Sequence, residues 1–374
     1  MTAPRFPLPS RVVVKVGSSS LRTPEGHLDV DLVARMVEQL ATIRDAGVDV
    51  VLVSSGAVAA GLGALRLTRR PADLGSLQAA ASIGQGLLMH AYQARFAEHG
   101  MVCGQVLLTP QDVVDRGRYL NARTTFETLL ALGAVPIVNE NDTVATDELR
   151  FGDNDRLAAL VASMLGAQLL VLLSDVEGLL DGDPARGLPL PVIDRVDDLS
   201  TLSPHHRGGS SSDVGSGGMA SKLEAARIAT FSAAHAVIAS ARREQVIVDA
   251  VHGRALGTWF PPAPRRPESR KLWIAFAPQP QGALWVDGGA VRALVERGSS
   301  LLAAGVVDVA GNFVAGDAVD VLGPDDRLVA RGLVGYAAGD VRRLRGRSTG
   351  VLADELGPGY DRAVIHRDRL VVLR

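Results

Sequence analysis

The sequence contains little cysteine, few lysines and almost no net charge, and each shortage excludes some classes of protein. The single cysteine, Cys103, excludes an internal disulfide framework, and residues 1–11 lack the apolar core of a signal peptide. We therefore expect a cytoplasmic protein. A formal charge of −2 over 374 residues gives no overall field that would attract nucleic acid or a membrane surface.

Aromatic residues make up only 4% of the chain, whereas apolar residues make up 47%, mainly Ala, Val and Leu. This composition favours helices packed on a buried sheet, so we predict an α/β fold. The length predicts two domains. The apolar run at residues 157–173 is long enough to cross a membrane, but Gly166 divides it into a helical half and a short strand. We therefore predict two buried elements and no membrane partner.

Short apolar runs alternate with stretches of helical periodicity along the first two thirds of the chain. The runs predict strands at residues 12–16, 48–53, 105–108, 134–138 and 169–173. Strands separated by helices predict a mostly parallel sheet, whose ligands gather beyond the carboxyl ends of the strands.

Polar and small residues follow these strands. The stretch NEND, residues 139–142, favours neither strand nor helix, and its acidic residue Asp142 suits a ligand with an ammonium group. Asp153, Asn154 and Asp155 directly precede a predicted helix, where one of the three is expected to act as an ordinary N-cap. Each of these features alone is equally compatible with a turn.

Only three of the 39 basic residues are lysines: Lys15, Lys222 and Lys271. Lysine supplies a compact charge that the planar group of arginine does not imitate, so Lys15 and Lys222, in Gly- and Ser-rich surroundings, are candidates for phosphate contact. Lys271 lies beside a Pro- and Arg-rich stretch and receives no chemical role. Lys222 lies in GSGGMASKLEAA, residues 215–226, which is not a P-loop because Ser and Leu flank the lysine. This stretch suits a phosphate at a helix N-terminus, and equally a flexible loop before a core helix.

Two lysines in Gly- and Ser-rich surroundings, without a Ser/His/Asp or Cys/His arrangement, point to phosphoryl transfer. No general base is evident, which suits a carboxylate nucleophile because carboxylates are already ionised at neutral pH. His205 and His206 lack companion residues with metal-ligand spacing, so we interpret them as solvated loop residues and assign no transition metal.

The chain contains, in this order, VVVKVGSSSL, VVLVSSGAVAAG, YLNAR, VPIVNENDTVAT, FGDNDRLAALVA, LLVLLSDVEGL and GSGGMASKLEAA. Together these motifs resemble those of the glutamate 5-kinases, a group within the amino-acid kinase family. The resemblance implies an α/β/α sandwich over residues 11–260. It also implies the use of ATP and Mg²⁺ to phosphorylate the side-chain carboxylate of L-glutamate, the first step of proline biosynthesis.

The resemblance further implies roles for individual residues. Lys15 and Lys222 would neutralise the phosphates and the transition state, and Asp155 would orient both ammonium groups. The residues expected to hold glutamate are Ser55, Gly56, Asn139, Asp142 and Asn154. The residues expected to contact ATP are Lys15, Gly17, Ser18, Ser174, Asp175, Ser216, Gly217, Gly218, Met219, Ala220, Ser221 and Lys222. Mg²⁺ is expected to bridge ATP oxygens without a protein ligand set.

The resemblance also implies partners. Proline is expected to inhibit by competing near the glutamate site, with its response in residues 115–145. We expect a homo-oligomer, a dimer or a tetramer, and a hand-over of the product to glutamyl phosphate reductase.

The C-terminal part carries a second resemblance. The stretch GALWVDGGAVRALVERGSSLLAAGVVDVAGNFVAGDAVDVL, residues 282–322, is similar to PUA domains. This implies a small β-barrel-like domain over residues 273–374, after a linker at residues 261–272. RNA is an alternative partner, but residues 281–374 contain 12 Arg and 12 Asp plus Glu. An RNA-binding face would have to come from Arg342, Arg343, Arg345 and Arg347, and a solvated arginine turn is the favoured interpretation.

Two positions depart from the motifs. Leu180 and Asp181 stand where Tyr and Thr are expected, and Ala241 replaces an expected glycine, which matters if that position needs a positive φ. Two other hypotheses remain open: a kinase for another acidic amino acid or for an N-acetylated glutamate, and an RNA-binding protein with a vestigial kinase domain. An ammonium partner for Asp142 argues against the acetylated substrate, and the presence of both lysines argues against the vestigial domain.

Overall fold

The computed structural model describes residues 3–24, 26–67, 69–144, 153–182, 190–203, 206, 218–264, 266–348 and 362–373. The chain forms two compact units, Met1–Arg266 and Pro267–Arg374. Each unit has its own sheet and its own buried core.

A seven-stranded sheet lies at the centre of the first unit. Its strands are β1 (Arg11–Val16), β2 (Asp49–Ser54), β3 (Cys103–Leu108), β4 (Val135–Glu140), β5 (Leu169–Ser174), β6 (His235–Ser240) and β7 (Thr258–Phe260). The strand order is β3-β4-β2-β1-β5-β6-β7, and only β7 runs antiparallel to its neighbour. All six residues of β5 are buried. Because successive strand side chains point to opposite faces, both faces of the sheet are covered, which confirms the predicted mostly parallel α/β architecture.

Eight α-helices of the first unit lie in the described residues. They are α1 (Val30–Asp45), α2 (Ala57–Ala64), α3 (Leu74–Glu98), α4 (Pro110–Val114), α5 (Arg116–Ala131), α6 (Asn154–Leu165), α7 (Met219–Phe231) and α8 (Val246–Val251). Helix α6 is capped by Gly166, whose φ of 64° is left-handed, so the glycine separates α6 from β5 as predicted. No helix in the described part of the chain is long and apolar enough to cross a membrane.

Helices α2 and α3 pack with their backbones in contact at two glycines. A Cβ atom at Gly61 would lie 1.8 Å from the Ala80 carbonyl oxygen, and a Cβ atom at Gly84 would lie 1.8 Å from the Ala57 carbonyl oxygen. No side chain fits at either position. Because α2 begins directly after Gly56, this contact fixes the position of the turn between β2 and α2.

The second unit is built on a five-stranded sheet. Its elements are α9 (Ser269–Phe276), β8 (Gly282–Val286), α10 (Gly288–Arg297), β9 (Val306–Gly311), β10 (Ala318–Leu322), β11 (Leu328–Leu333), α11 (Ala338–Leu344) and β12 (Leu370–Val372). The strand order is β12-β11-β10-β8-β9, in which only β8 and β10 pair in parallel. Leu284, Val319 and Val321 are among its fully buried residues, so this unit has a core of its own.

The segment predicted as a linker at residues 261–272 is a linker only in part. Residues 269–272 form the beginning of α9, which belongs to the second unit. The reason is an apolar face that the sequence interpretation missed: Leu272, Ile274, Ala275 and Phe276 are buried. Burial of this face stabilises a helix directly after the proline-rich residues.

Candidate active site

The parallel strands bring most of the predicted site residues to one edge of the sheet. Val16 at the end of β1 is paired with Ser54 of β2 and with Leu173 of β5, so the turns after these three strands are neighbours. These turns carry Gly17, Ser18, Ser55, Gly56 and Asp175. Strand β4 extends two residues beyond its predicted end, which places Asn139 within the strand at the same edge.

A buried carboxylate joins the two lysines. Asp155 has no solvent exposure. Its Oδ1 lies 2.5 Å from Lys15 Nζ, and its Oδ2 accepts a hydrogen bond from Lys222 Nζ at 3.0 Å. Lys15 and Lys222 are themselves only 2% and 6% exposed. The two ammonium groups, which come from β1 and from the first turns of α7, are therefore held on opposite oxygens of one carboxylate.

The charges of the cluster favour the ionised forms of Asp155 and Lys15. Burial alone would raise the pKa of Asp155, but the charges of Lys15 and Lys222 and their hydrogen bonds hold it below its ordinary value. Burial alone would lower the pKa of Lys15, but Asp155, and then Asp153, raise it above its ordinary value. The cluster is therefore an ion pair network at neutral pH.

Asp153 is the N-cap of α6, so Asn154 and Asp155 belong to the first turn of that helix rather than preceding it. Asp153 Oδ1 accepts from the Asp155 backbone N–H at 3.0 Å and lies 3.5 Å from Lys15 Nζ. Asp153 Oδ2 and Asn154 Oδ1 are buried without a hydrogen-bond partner among the described residues. Two buried acceptor oxygens therefore lie beside the ion pair network, and both would accept a hydrogen bond from a ligand.

A hydrogen-bonded set of amide and hydroxyl groups adjoins the ion pairs. Asn154 Nδ2 donates to Ser55 Oγ and to Asn139 Oδ1, each at 2.8 Å. Asn139 Nδ2 donates to Gln85 Oε1 on α3 at 2.9 Å. Three of the residues that were predicted to bind the substrate glutamate are thus directly connected. A fourth, Asp142, lies three residues beyond Asn139, in the turn after β4. Gly56, with a φ of 103°, caps α2 beside Ser55.

Gln85 was missed by the sequence interpretation. It lies inside a 25-residue helix and reaches Asn139 across 54 positions of sequence. No turn, strand end or glycine pattern marks it, so the sequence offers no local signal for its contact.

The residues predicted to contact ATP lie around the ends of β1 and β5 and the start of α7. Ser174 Oγ donates to Asp175 Oδ1 at 3.0 Å. Gly218 is the N-cap of α7 and makes no side-chain cap, and Met219, Ala220 and Ser221 form its first turn. The helix therefore begins at Met219, and its N-cap residue has no side chain to accept from the N-terminal amide groups. Ser216 and Gly217 lie outside the described residues.

Ala241 does not have the backbone geometry for which glycine would be needed. Its φ is not among the positive values of the chain, and its backbone N–H donates to the Ser174 carbonyl at 2.8 Å. An alanine fits this position without strain. Leu180 and Asp181, which stand where Tyr and Thr were expected, leave the backbone pairing of this segment intact. The Asp181 backbone N–H donates to the Pro191 carbonyl at 2.9 Å.

The described residues show no metal-binding cluster, and two of the C-terminal arginines make contacts within their own unit. Across the described part of the chain, no group of three His, Cys, Asp or Glu residues could hold a metal ion, and His205 lies outside that part. In the second unit, Arg345 pairs with Asp308 at 2.8 Å, and Arg342 donates to the Gly311 carbonyl at 2.7 Å. At least two of the four arginines considered for RNA binding therefore make contacts within their own unit.

Comparison with known proteins identifies both units. Residues 10–240 match the Amino acid kinase family, and residues 282–351 match the PUA domain. The chain is 53% identical over 371 residues to the glutamate 5-kinase of Streptomyces avermitilis, covering 97% of this chain and 96% of that protein. It is 54% identical to the glutamate 5-kinases of Streptomyces coelicolor and Salinispora arenicola, each over 364 residues and 97% of this chain, covering 96% and 98% of those proteins. The chain therefore belongs to the glutamate 5-kinase family of amino acid kinases and carries a PUA domain.

Proposed function

We propose that this protein transfers the γ-phosphoryl group of ATP to the side-chain carboxylate of L-glutamate. The products are L-glutamyl 5-phosphate and ADP, and the reaction is the first step of proline biosynthesis. The observation that carries the proposal is the buried bridge from Lys15 through Asp155 to Lys222. Beside it lie the hydrogen-bonded groups of Ser55, Asn139 and Asn154, which form the amide pocket. The names of the relatives support the choice of substrate.

The residues around the bridge fit the phosphates of ATP. Lys15 and Lys222 supply two positive charges, and the N-cap of α7 is Gly218, which has no side chain to occupy the amide groups, so these can donate to an anion. Gly17 lies beside Lys15, since a Cβ atom there would be 3.7 Å from Lys15 Nζ. When bound, Mg²⁺ would neutralise phosphate charge, and ATP oxygens would be its main ligands.

The amide pocket fits the amino-acid end of glutamate. Asn154 Oδ1 is a buried acceptor without a partner among the described residues, so it suits a donor such as the α-ammonium group. Asp142 supplies a negative charge near the same edge of the sheet. Ser55 and Asn139 would position the substrate through their polar groups, with Gly56 allowing a close approach of the backbone.

The chemistry needs no general base. The ionised side-chain carboxylate of glutamate attacks the γ-phosphorus with an oxygen lone pair, and the bond from that phosphorus to the bridging oxygen of ADP breaks. Negative charge then spreads over the transferring group, where the two lysines stabilise it. Asp155 raises the pKa of Lys15 and holds both ammonium groups in place before the substrates bind.

Trapping with hydroxylamine tests this function. Hydroxylamine attacks an acyl phosphate at its carbonyl carbon, releases phosphate and forms a hydroxamate. ATP, Mg²⁺, hydroxylamine and L-glutamate should therefore give a product that turns coloured when ferric chloride is added. Parallel reactions contain aspartate or N-acetylglutamate in place of glutamate. We expect a signal selective for glutamate. Equal rates with N-acetylglutamate, or no signal from folded protein, would contradict the proposal.

We also propose that proline inhibits by competing at the glutamate pocket. Proline presents an ammonium and a carboxylate group, as glutamate does, and Asn139 and Asp142 lie within the segment where we expect its response. Addition of proline to the hydroxamate assay should raise the apparent KM for glutamate without lowering kcat. A fall in kcat at unchanged KM would contradict competition.

Two further parts of the proposal concern partners. Acyl phosphates hydrolyse in water, so direct hand-over to glutamyl phosphate reductase would protect the product.

We propose that the protein forms a homo-oligomer, a dimer or a tetramer. Light scattering during size-exclusion chromatography tests this. A monomeric mass at assay concentration would contradict this part.

A further inference from the structure

The amide side chain of Asn139 is fixed by partners on both of its ends. The backbone N–H of Glu140 donates to Asn139 Oδ1 at 2.9 Å. A backbone N–H can only donate, so the oxygen of the Asn139 amide must face it. The amide nitrogen then points the other way, to Gln85 Oε1 at 2.9 Å. Asn139 is 3% exposed, so its nitrogen needs a protein acceptor, and Gln85 supplies it.

The orientation of Asn139 determines the orientation of Asn154. Because Asn139 presents an oxygen, Asn154 must turn its Nδ2 group toward it, and the same nitrogen also donates to Ser55 Oγ. The Asn154 oxygen is consequently directed away from these partners and remains a buried acceptor. The polarity of the pocket is thus set by a chain of hydrogen bonds in which the Glu140 backbone N–H and Gln85 hold the two ends of the Asn139 amide.

Helix α3 is a rigid support for Gln85. The preceding residue, Gly84, contacts the backbone of α2 so closely that no Cβ atom fits there. One turn and two turns further along, Leu88 and Tyr92 are fully buried, and Tyr92 Oη lies 2.9 Å from Ser54 Oγ. The helix cannot shift at Gln85 without disturbing these contacts.

We propose that Gln85 is a positioning residue for the amino-acid substrate. It acts through Asn139, holding the amide chain in the direction that leaves Asn154 Oδ1 available to the substrate ammonium group. This inference rests on the proposed function, because it assigns the pocket to glutamate. It adds a residue on α3 to the groups on the strand ends and on α6.

The test replaces Gln85 by Met, which has a similar length and no comparable acceptor. We expect Gln85→Met to raise the KM for glutamate about tenfold, which corresponds to about 1.4 kcal/mol. The kcat and the KM for ATP should stay within about twofold, because the lysines and Asp155 are not touched. Gln93→Met, at an exposed position of the same helix, is the matched control and should leave all three constants unchanged.

A double-mutant cycle with Asn139→Ala shows whether Gln85 acts through Asn139. In the Asn139→Ala background, Gln85→Met should change the KM for glutamate by less than about twofold. Gln85→Ala repeats the measurement with a smaller side chain, and thermal unfolding verifies that each variant is folded. An unchanged KM in folded Gln85→Met, or the full tenfold effect in the Asn139→Ala background, would overturn the role of Gln85. A wild-type protein that forms no glutamyl hydroxamate would instead overturn the proposed function.

Discussion

Replacing Asp155 by Asn tests the bridge between the two lysines. The variant keeps the shape of the side chain and removes the charge that lies 2.5 Å from Lys15 Nζ and 3.0 Å from Lys222 Nζ. Coulomb's law at an effective dielectric constant of about 20 gives roughly 6 kcal/mol of attraction for each pair. Desolvation of the buried groups offsets most of this attraction. Removal of one partner from a buried ion pair typically costs about 3–5 kcal/mol, because the remaining charge is left uncompensated.

We therefore expect Asp155→Asn to lower the free energy of unfolding by about 3–5 kcal/mol and the Tm by on the order of 10 °C. The kcat/KM should fall by about a hundredfold or more, since the lysines lose the group that orients them. The pKa of Lys15 should also fall, because its largest stabilising charge is gone while its burial remains. Lys15 must be charged to stabilise the transferring phosphoryl group. As the pH rises, the variant should therefore lose its activity at a lower pH than the wild type does.

The assay is ADP release at saturating ATP between about pH 7 and about pH 9.5, combined with thermal unfolding. Asp73→Asn is the control, because Asp73 is the exposed N-cap of α3 and Asn caps a helix equally well. A variant at Asp155 with the Tm, the kcat/KM and the pH profile of the wild type would refute the reasoning.

Two other predictions concern stability. Gly84→Ala should destabilise the fold by about 3 kcal/mol or more, because the new Cβ atom would meet the Ala57 carbonyl oxygen, whereas Gly86→Ala on the same helix has open space and should stabilise it by about 0.5–1 kcal/mol. Equal denaturation midpoints for the two variants would contradict the close packing of α2 and α3. Burial lowers the pKa of His235 to about 4 from 6.5, so the unfolded chain binds a proton more readily and stability should decrease as the pH falls from about 6.5 towards about 4. His235→Gln, which can still accept from Trp259 Nε1, should lose less stability than the wild type between about pH 7.5 and about pH 5, and an equal loss would argue against this assignment.

The sequence predicted the sheet and the edge that carries the site because both depend on local patterns. Buried strands appear as short apolar runs, and the polar residues that follow them come together when parallel strands end at one edge. This reasoning predicted that Asn139 lies at a strand end, and the structure has it near the end of β4 at that edge. It also placed Gly166 between a helix and a strand, because glycine readily adopts the left-handed conformation seen there.

Contacts between distant segments were not predictable in the same way. Gln85 accepts from Asn139 only because α3 lies against the carboxyl ends of β2 and β4, and this arrangement depends on glycine contacts between α2 and α3. The helix at Ser269–Phe276 was missed because prolines and arginines dominate the sequence before it, while its stability comes from an apolar face buried in the second unit. Tertiary packing decides both cases.

The measurement that tests the central claim most directly follows an isotope from substrate to phosphate. L-Glutamate labelled with oxygen-18 in its side-chain carboxylate is incubated with ATP, Mg²⁺, hydroxylamine and the protein, and the released phosphate is analysed by mass spectrometry. If the carboxylate attacks the γ-phosphorus, hydroxylamine later cleaves the bond from the acyl carbon to oxygen, and each phosphate should carry a single labelled oxygen. Phosphate that carries no label would show that water, and not glutamate, accepts the phosphoryl group, and would contradict the account.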